Sequence, residues 1–148
     1  MENTFFCCQI DFATPEADQA LMIRNEILRK PLQLSFASED IEDEWDSIHL
    51  GIFLSDHTMI GTLILKPVSP EIVKMRQVAI SNDWQGKGIG KLLVTYSEDF
   101  AAKLGYSRIE LHARSTAITF YTSLQYEIIG DVFLEVGIEH VKMVKNLT

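Results

Sequence analysis

The sequence predicts a single α/β domain over residues 1–148, with a central mixed sheet flanked by helices. Strand-like and helix-like segments follow one another in the order strand, helix, helix, three strands, helix, strand, helix, two strands. Such an order gives a mixed sheet with helices packed on it. A glycine-rich turn within residues 75–105 also joins an apolar strand-like run to a long amphipathic helix. At 148 residues, 47% hydrophobic and 23% charged, the chain has the composition of a soluble globular domain with a sizeable core.

The first third of the chain predicts a strand and then a helix. Residues 4–12 alternate loosely between apolar and polar side chains, which is typical of a strand. Thr14 is the expected N-cap of the helix, Pro15 its first residue, and Pro31 its end. The acidic segment 36–46 is open between a short second helix and a solvated face, and the solvated face is the commoner outcome. The apolar residues expected on the buried face of the helix are Leu21, Met22, Ile27 and Leu28.

The rest of the chain predicts six strands and two helices. The long helix follows the glycine-rich turn and ends at Gly105, and a shorter helix covers residues 116–124. Strands are expected at residues 48–55, 59–67, 73–81, 107–113, 126–135 and 137–146, with turns at 56–58 and near Val136-Gly137. The buried face expected for the long helix consists of Ile89, Leu92, Leu93, Tyr96, Phe100 and Leu104.

The glycine-rich turn, Gln85-Gly86-Lys87-Gly88-Ile89-Gly90, has the features of a phosphate-binding device. The first backbone N–H groups of a helix have no partner inside it, and they lie at the positive end of the helix dipole. The glycines remove Cβ atoms that would keep a pyrophosphate away, Lys87 and Lys91 add cationic charge, and the Gln85 amide can donate. A P-loop would need Ser or Thr where Leu92 follows Lys91, and a dinucleotide fingerprint would need glycine in place of Lys91. A glycine-rich turn without a ligand would be a serious alternative if the turn stood alone.

Two segments together resemble the GNAT superfamily of N-acetyltransferases. The turn is similar to the Gln/Arg-x-x-Gly-x-Gly/Ala pattern of that superfamily's acyl-CoA pyrophosphate loop. Residues 117–126 (AITFYTSLQY) resemble its Ala-x-x-Phe-Tyr-x-x-x-Gly-Phe segment, with Tyr121 thirty-six residues after Gln85. The order of elements is also the GNAT order, so the resemblance covers essentially the whole chain. The stretches IELHAR and FLEVGIEHVKM further resemble the ElaA-like branch.

The resemblance implies a mostly antiparallel sheet in which the parallel strands 4 and 5 splay apart, and the pantetheine arm of acetyl-CoA enters the gap. A backbone N–H near Val78 or Ala79 would then polarise the thioester carbonyl. The sequence departs from the family at Gln125-Tyr126, which replaces the usual Gly-Phe, and at Arg114, where many members have a cofactor-holding asparagine. The residues that the resemblance assigns to acetyl-CoA are Val78, Ala79, Ile80, Gln85, Gly86, Lys87, Gly88, Ile89, Gly90, Lys91, Arg114 and Tyr121.

The reaction that the resemblance implies is direct attack of a neutral amine on the acetyl carbonyl. Tyr121 is the expected general acid for the leaving thiolate, because a phenol is protonated at neutral pH. Without the resemblance, Tyr121 would be read as a core aromatic. His112 is slightly favoured as general base because it shares a strand face with Glu110 beside the cleft. The candidate bases are Glu26, His49, His112, Glu135 and His140, and Arg76 and Gln77 either line the acceptor side or lie on the sheet surface.

Net charge, apolar runs and cysteine content indicate which kinds of binding partner this chain is expected to have. The net charge of -8 disfavours nucleic acid and is compatible with a cationic or amine substrate. No apolar run approaches membrane-spanning length and the first residues lack a signal peptide, so we expect no membrane partner and a cytoplasmic location. Cys7 and Cys8 are adjacent in a strand, where they do not pair readily, and no cysteine cluster for a metal accompanies them.

The leading functional hypothesis is an acetyl-CoA-dependent N-acetyltransferase acting on a primary amine of a small molecule or peptide. A different class is a non-catalytic acyl-CoA-binding or sensing module that kept the loop and lost turnover. Nucleotide binding without CoA is a third class, which the failed motif spacings disfavour. The sequence does not identify the acceptor amine, and it leaves the oligomeric state open, a homodimer being one possibility.

Overall fold

The computed structural model describes residues 4–29 and 46–147, which form a seven-stranded sheet with helices on both faces. The strand order is β1-β2-β3-β4-β5-β7-β6, and the β4–β5 pair alone is parallel. This confirms the predicted mixed, mostly antiparallel sheet. The strands are β1 (Phe5–Ile10), β2 (Ile48–Leu54), β3 (Met59–Pro67), β4 (Ile72–Ile80), β5 (Arg108–Arg114), β6 (Glu127–Glu135) and β7 (Ile138–Asn146). The helices are α1 (Pro15–Arg24), α2 (Ile89–Lys103) and α3 (Ile118–Ser123).

The core consists of two apolar clusters, one on each face of the sheet. Neighbouring residues of a strand point to opposite faces, and Ile52 enters the larger cluster while Phe53 enters the smaller one. The larger cluster packs against α2 and α3, and the smaller one packs against α1. Cys7 and Cys8 are likewise divided between the two clusters, and both are free thiols, as the sequence predicts.

The parallel strands β4 and β5 separate at their carboxyl ends. Their pairing begins at Ile72 with Arg108 and stops at Met75 with Leu111, although β4 continues to Ile80 and β5 to Arg114. On its other side β4 stays paired with β3, with a register shift opposite Gln77, whose φ is 55°. The backbone of β4 beyond Met75 therefore has no strand beside it toward β5. The expected splay of strands 4 and 5 is confirmed.

Helix α2 buries a different face from the one predicted. Leu92 is 48% exposed and Leu104 is 55% exposed, so both were wrongly assigned to the core. The residues of α2 that contact the sheet recur every four positions. They include small side chains, Ser97 and Ala101, which let the helix approach the sheet closely. The Ser97 hydroxyl fits there because it donates to the Val94 carbonyl at 2.6 Å. The buried residues of α2 are Ile89, Leu93, Val94, Ser97 and Ala101.

Helix α1 begins as predicted but turns another side inward. The Ala17 N–H donates to the Thr14 hydroxyl at 3.2 Å, which confirms the N-cap. Met22 is 69% exposed and does not belong to the buried face, while Ala20 and Arg24 are buried. The α-helix then continues as one π-helical turn.

Two predictions in this region lie outside the described residues. These are the end of the first helix at Pro31 and the acidic segment 36–46, except for its last residue. Within the described ranges, no helix combines the length and apolar character needed to cross a bilayer.

The departure from the family at Gln125-Tyr126 has a structural solution. Gln125 follows α3 with a φ of 75°, the left-handed conformation in which glycine is usual. The Tyr126 hydroxyl donates to Glu98 on α2 at 3.0 Å, and Lys145 on β7 donates to the same carboxylate at 2.9 Å. The turn therefore forms without glycine, and Tyr126 ties α2 to the sheet.

Candidate functional site

The turn after β4 leaves the N-terminus of α2 open. Gly88 is the N-cap of the helix with a φ of 82°, and Gly86 has a φ of 73°. A Cβ at either position would meet nothing within 4 Å, so both positions face open space. A Cβ at Gly90 would instead lie 3.3 Å from the Phe120 ring. Gly86 and Gly88 thus keep the approach to the helix end clear, whereas Gly90 lets α2 pack on α3.

Side chains around the turn hold it against β4. The Gln85 amide donates to the Ile80 carbonyl at 2.9 Å, so this group closes the loop onto the end of the strand. The Lys87 ammonium lies 5.1 Å from the centre of the Trp84 ring. The Trp84 ring in turn meets Phe5 edge to face at 5.7 Å. Gln85 and Lys87 therefore fix the shape of the turn in this structure.

A cavity of about 420 Å³, here called the loop cavity, runs along the turn. Lys87, Ala79 and Arg114 do not line it. Ala79 is buried within β4, and Arg114 lines a second cavity. Trp84 and Phe120 line the loop cavity without having been predicted, because an aromatic residue in a sequence gives no sign of which space it borders. The predicted cofactor residues that do line it are Val78, Ile80, Gln85, Gly86, Gly88, Ile89, Gly90, Lys91 and Tyr121.

The second cavity, of about 460 Å³, occupies the gap between β4 and β5 and is here called the gap cavity. It is lined by the separated ends of both strands, by Leu28 after α1, and by residues of β6 and β7. The two cavities share Val78, Ala117 and Tyr121. They therefore meet at the splay, with the Tyr121 side chain at the junction.

Tyr121 lies in a mostly apolar setting. The residue is 8% exposed, and its ring packs edge to face on Phe120 and on Tyr126, with ring centres 5.0 Å and 5.6 Å away. Burial raises the pKa of its hydroxyl to about 12. Across residues 4–29 and 46–147, no group hydrogen-bonds that hydroxyl. Tyr121 thus remains a protonated donor whose hydrogen is available at the junction of the two cavities.

Glu135 links two histidines on the wall of the gap cavity. Its Oε1 lies 3.1 Å from His112 Nδ1, and its Oε2 lies 3.6 Å from His140 Nε2. Burial raises the pKa of Glu135, but the hydrogen bond from His112 and the charges of His112, His140 and Lys74 outweigh it, and the net shift is downward. The Phe133 ring packs against both imidazoles, 4.9 Å from His112 and 6.0 Å from His140.

This network fixes the hydrogen positions on the imidazoles. A carboxylate accepts and does not donate, so the Nδ1 of His112 carries a hydrogen, and in the neutral form of the ring its Nε2 is an acceptor. The His140 Nδ1 lies 2.8 Å from the Ile138 carbonyl and therefore also carries a hydrogen. Of the five candidate bases, His112, Glu135 and His140 line the gap cavity, and Glu26 and His49 line neither cavity.

The residues present fit an elongated, phosphorylated ligand. Open α/β sheets bind ligands beyond the carboxyl ends of their parallel strands, and a helix N-terminus favours a phosphate. Here the gap between β4 and β5 leads directly to the cleared N-terminus of α2, beside Lys91. The fold and the site together define an α/β protein whose split sheet and cleared helix N-terminus can accommodate such a ligand.

Comparison with known proteins identifies the family. A family model described as an acetyltransferase (GNAT) domain matches residues 33–147. The chain therefore belongs to the GNAT acetyltransferase family. It is 30% identical over 142 residues to the uncharacterized protein YyaT of Bacillus subtilis (strain 168), an alignment that covers 91% of this chain and 93% of YyaT.

Solved structures share the fold over the whole chain. A crystal structure of a candidate N-acetyltransferase from Lactobacillus plantarum has a TM-score of 0.88 at 24% identity, covering 99% of this chain and 100% of that one. An aminoglycoside 6'-N-acetyltransferase complexed with coenzyme A has a TM-score of 0.81 at 17% identity and covers 97% of each chain. These likenesses confirm the predicted GNAT fold, while the ElaA-like branch stays a prediction.

Proposed function

We propose that this protein transfers an acetyl group from acetyl-CoA to a primary amine of a small molecule or peptide. The observation that carries the proposal is the meeting of the two cavities at Tyr121, which gives the two substrates separate entrances to one point. Family membership supports acetyl transfer, and a structural neighbour is described as a complex with coenzyme A.

The loop cavity is the proposed acetyl-CoA site. The N–H groups of the turn and the ammonium of Lys91 would bind the pyrophosphate at the start of α2. The edge of β4 at Val78 and Ile80, which has no strand beside it toward β5, would bind the pantetheine arm as an added strand. Gln85 and Lys87 would act indirectly, by keeping the turn in shape. Bound acetyl-CoA supplies an activated acyl group whose carbonyl oxygen can accept from a β4 backbone N–H.

His112 is the proposed general base. Glu135 accepts from its Nδ1, which leaves Nε2 to take a proton, and His112 lines the gap cavity, where the amine would enter. The arrangement is that of a carboxylate that orients an imidazole. The acceptor's ammonium gives its proton to Nε2, directly or through water, and the neutral amine nitrogen then forms a bond to the acetyl carbon. The second proton that this nitrogen loses as the amide forms passes to solvent. Glu135 is a positioning residue in this scheme.

Tyr121 is the proposed donor to the leaving sulfur. As the bond between the acetyl carbon and the sulfur breaks, its hydroxyl hydrogen is given to the thiolate, and the phenol later regains a proton from solvent. A pKa of about 12 makes full proton transfer from Tyr121 unfavourable in the resting protein. Much of its contribution would then be the hydrogen bond that stabilises negative charge on sulfur.

A non-catalytic acyl-CoA-binding module remains the second candidate function. A binding module would use the same loop cavity for acyl-CoA but would not need an oriented base. The pairing of His112 with Glu135 therefore favours the enzyme. An assay of thiol release with a chromogenic disulfide separates the two. We expect acetyl-CoA to raise the melting temperature and at least one amine of a broad panel to release CoA. Stabilisation without release on any amine would favour the binding module, and no stabilisation at millimolar acetyl-CoA would refute the acetyl-CoA site.

A further inference from the structure

The gap cavity carries positive charge in a protein whose net charge is -8. Lys74 and Arg76 line it from β4 and Arg114 lines it from β5, whereas Glu135 is the only carboxylate among the described residues of its lining. The Glu135 carboxylate already contacts two histidines, His112 and His140. Within the described parts of the chain, none of the three cations forms an ion pair. The cavity therefore has cationic groups available for something that enters it.

The strand register explains why these charges gather. Lys74 is the register partner of Glu110 in the parallel β4–β5 ladder. Because alternate residues of a strand share a face, Arg76 follows Lys74 on one strand, and His112 and Arg114 follow Glu110 on the other. Burial and the charge of Arg76 lower the pKa of the Lys74 ammonium, and the charge of Glu135 opposes them. Lys74, Arg76 and Glu135 are therefore close enough to act on one another, and Arg114 lines the same cavity.

The phosphates of acetyl-CoA are not the natural partners of these cations. Lys74, Arg76 and Arg114 line the gap cavity and not the loop cavity, where the open glycines and Lys91 lie. The junction at Val78 and Tyr121 separates the two groups. An anion bound by the three cations would therefore belong to the molecule that enters from the acceptor side.

We propose that the acceptor is an amine that also bears an anionic group, a carboxylate or a phosphate, which Lys74, Arg76 and Arg114 bind in the gap cavity. The proposal rests on the proposed acetyl transfer and narrows its substrate class. Arg and Lys are the side chains that bind such anions, Arg often through two parallel hydrogen bonds. Gln77 lines the same cavity, and its amide oxygen is buried with no hydrogen-bond partner among the described residues.

The test compares matched amines that differ by the anionic group. The pairs are L-methionine with 3-(methylthio)propylamine, L-phenylalanine with phenethylamine, and glucosamine 6-phosphate with glucosamine. Thiol release at saturating acetyl-CoA gives kcat/KM, expressed per unprotonated amine because a carboxylate changes amine basicity. We expect the anionic member of at least one pair to be preferred by about tenfold or more, the scale of a hydrogen bond to a charged group. The first two pairs report on carboxylate and the third on phosphate.

Variants show whether the named cations cause the preference. Arg76→Gln and Arg114→Gln should each reduce the preference toward one, mainly through KM of the anionic acceptor. Lys142→Gln is the matched control, because Lys142 shares that sheet face but pairs with Glu110 at 3.4 Å and does not line the cavity. The control should retain the preference. Equal loss in all three variants would show a general effect of net charge and would overturn the assignment.

The outcomes separate this inference from the proposed function. If acetyl-CoA does not stabilise the protein, the acetyl-CoA site fails. If transfer occurs but uncharged or cationic amines are preferred, the transferase stands and the anionic acceptor is refuted. If no amine turns over, calorimetry on the CoA-saturated protein compares N-acetyl-L-methionine with N-acetyl-3-(methylthio)propylamine. Tighter binding of the anionic compound, lost in Arg76→Gln, supports the proposal, and equal or absent binding of both refutes it.

Discussion

Two glycines at opposite ends of α2 allow a sharp test of the cofactor loop. Gly88 begins the helix with a φ of 82°, Gly105 follows its end with a φ of 97°, and a Cβ at either would meet nothing within 4 Å. Replacement by Glu should therefore cost the same backbone strain at both. A left-handed residue other than glycine costs about 1–2 kcal/mol, partly offset by about 0.5–1 kcal/mol because glycine loses more freedom on folding. Backbone strain alone should therefore cost each variant about 1 kcal/mol, or about 2–4 °C in melting temperature. The helix dipole favours the new carboxylate at position 88 and disfavours it at position 105, by about 0.3–1 kcal/mol in each case.

Ligand binding then distinguishes the two variants. Acetyl-CoA at a hundred times its Kd should stabilise the parent by about 2.7 kcal/mol, because a ligand of the native state shifts unfolding by mass action. At about 2–4 °C per kcal/mol, that is a rise of about 5–10 °C. Differential scanning fluorimetry should show this rise in the parent and in Gly105→Glu, and none in Gly88→Glu, where bulk and negative charge occupy the pyrophosphate position. A full shift in Gly88→Glu would refute the loop as the phosphate site.

Two further predictions concern Tyr121 and Gln125. Tyr121→Phe keeps the ring but removes the donor, so acetyl-CoA binding should persist while kcat falls, within the range of about 10²–10⁴-fold for acid assistance and near its lower end because thiolate leaves readily. Since burial raises its pKa to about 12, Tyr121 stays protonated well above neutrality, and an alkaline loss of rate below about pH 10 must have another origin. An unchanged kcat with lower stability would make Tyr121 a core aromatic only. Gln125→Gly should relieve left-handed strain of about 1–2 kcal/mol at a cost of about 0.5–1 kcal/mol in chain freedom, a net gain that thermal denaturation can measure. A loss of stability would show that the Gln125 side chain contributes contacts worth more than the strain.

The sequence predicted the elements well because each has a local signal. Alternation of Ile109 and Leu111 with Glu110 and His112 predicted β5, and Thr14-Pro15 predicted the start of α1. The prediction of which side of each helix is buried was less accurate. Leu92 is a large apolar residue at helical spacing, yet it is exposed, while Ser97 is buried. Tertiary packing decides how closely a helix approaches a sheet. Small side chains such as that of Ser97 can therefore occupy the helix positions that contact the sheet even when they are polar.

The candidate site was predictable to the extent that motifs mark it. The glycines could be named from the loop pattern and Tyr121 from the family resemblance, but the partnership of His112 with Glu135 joins β5 to the last residue of β6, twenty-three positions away. No local pattern predicts which of several carboxylates a histidine will meet. The position of Lys74 on the cavity wall could have been predicted together with that of Arg76, because strand alternation places both on the same face of β4. The roles of Gln85 and Lys87 could not be read from the loop sequence, since both depend on contacts with β4 and Trp84.

The net charge of the protein favours a cationic substrate, whereas the cations of the gap cavity favour an anionic one. The distances over which these two sets of charges act decide which of them selects the substrate. A net charge of -8 favours a cationic molecule only at distances over which the field survives, and exposed charges are screened within about 8 Å at physiological ionic strength. Lys74, Arg76 and Arg114 would instead act at contact inside a cavity, where there is less water to weaken a charged hydrogen bond. In the proposed scheme the field of the whole protein would alter how often an acceptor arrives, and the walls of the gap cavity would decide which acceptor stays. An anionic amine that arrives slowly at low ionic strength and faster as salt screens the acidic surface would carry the signature of both effects, whereas a cationic amine would show the reverse salt dependence.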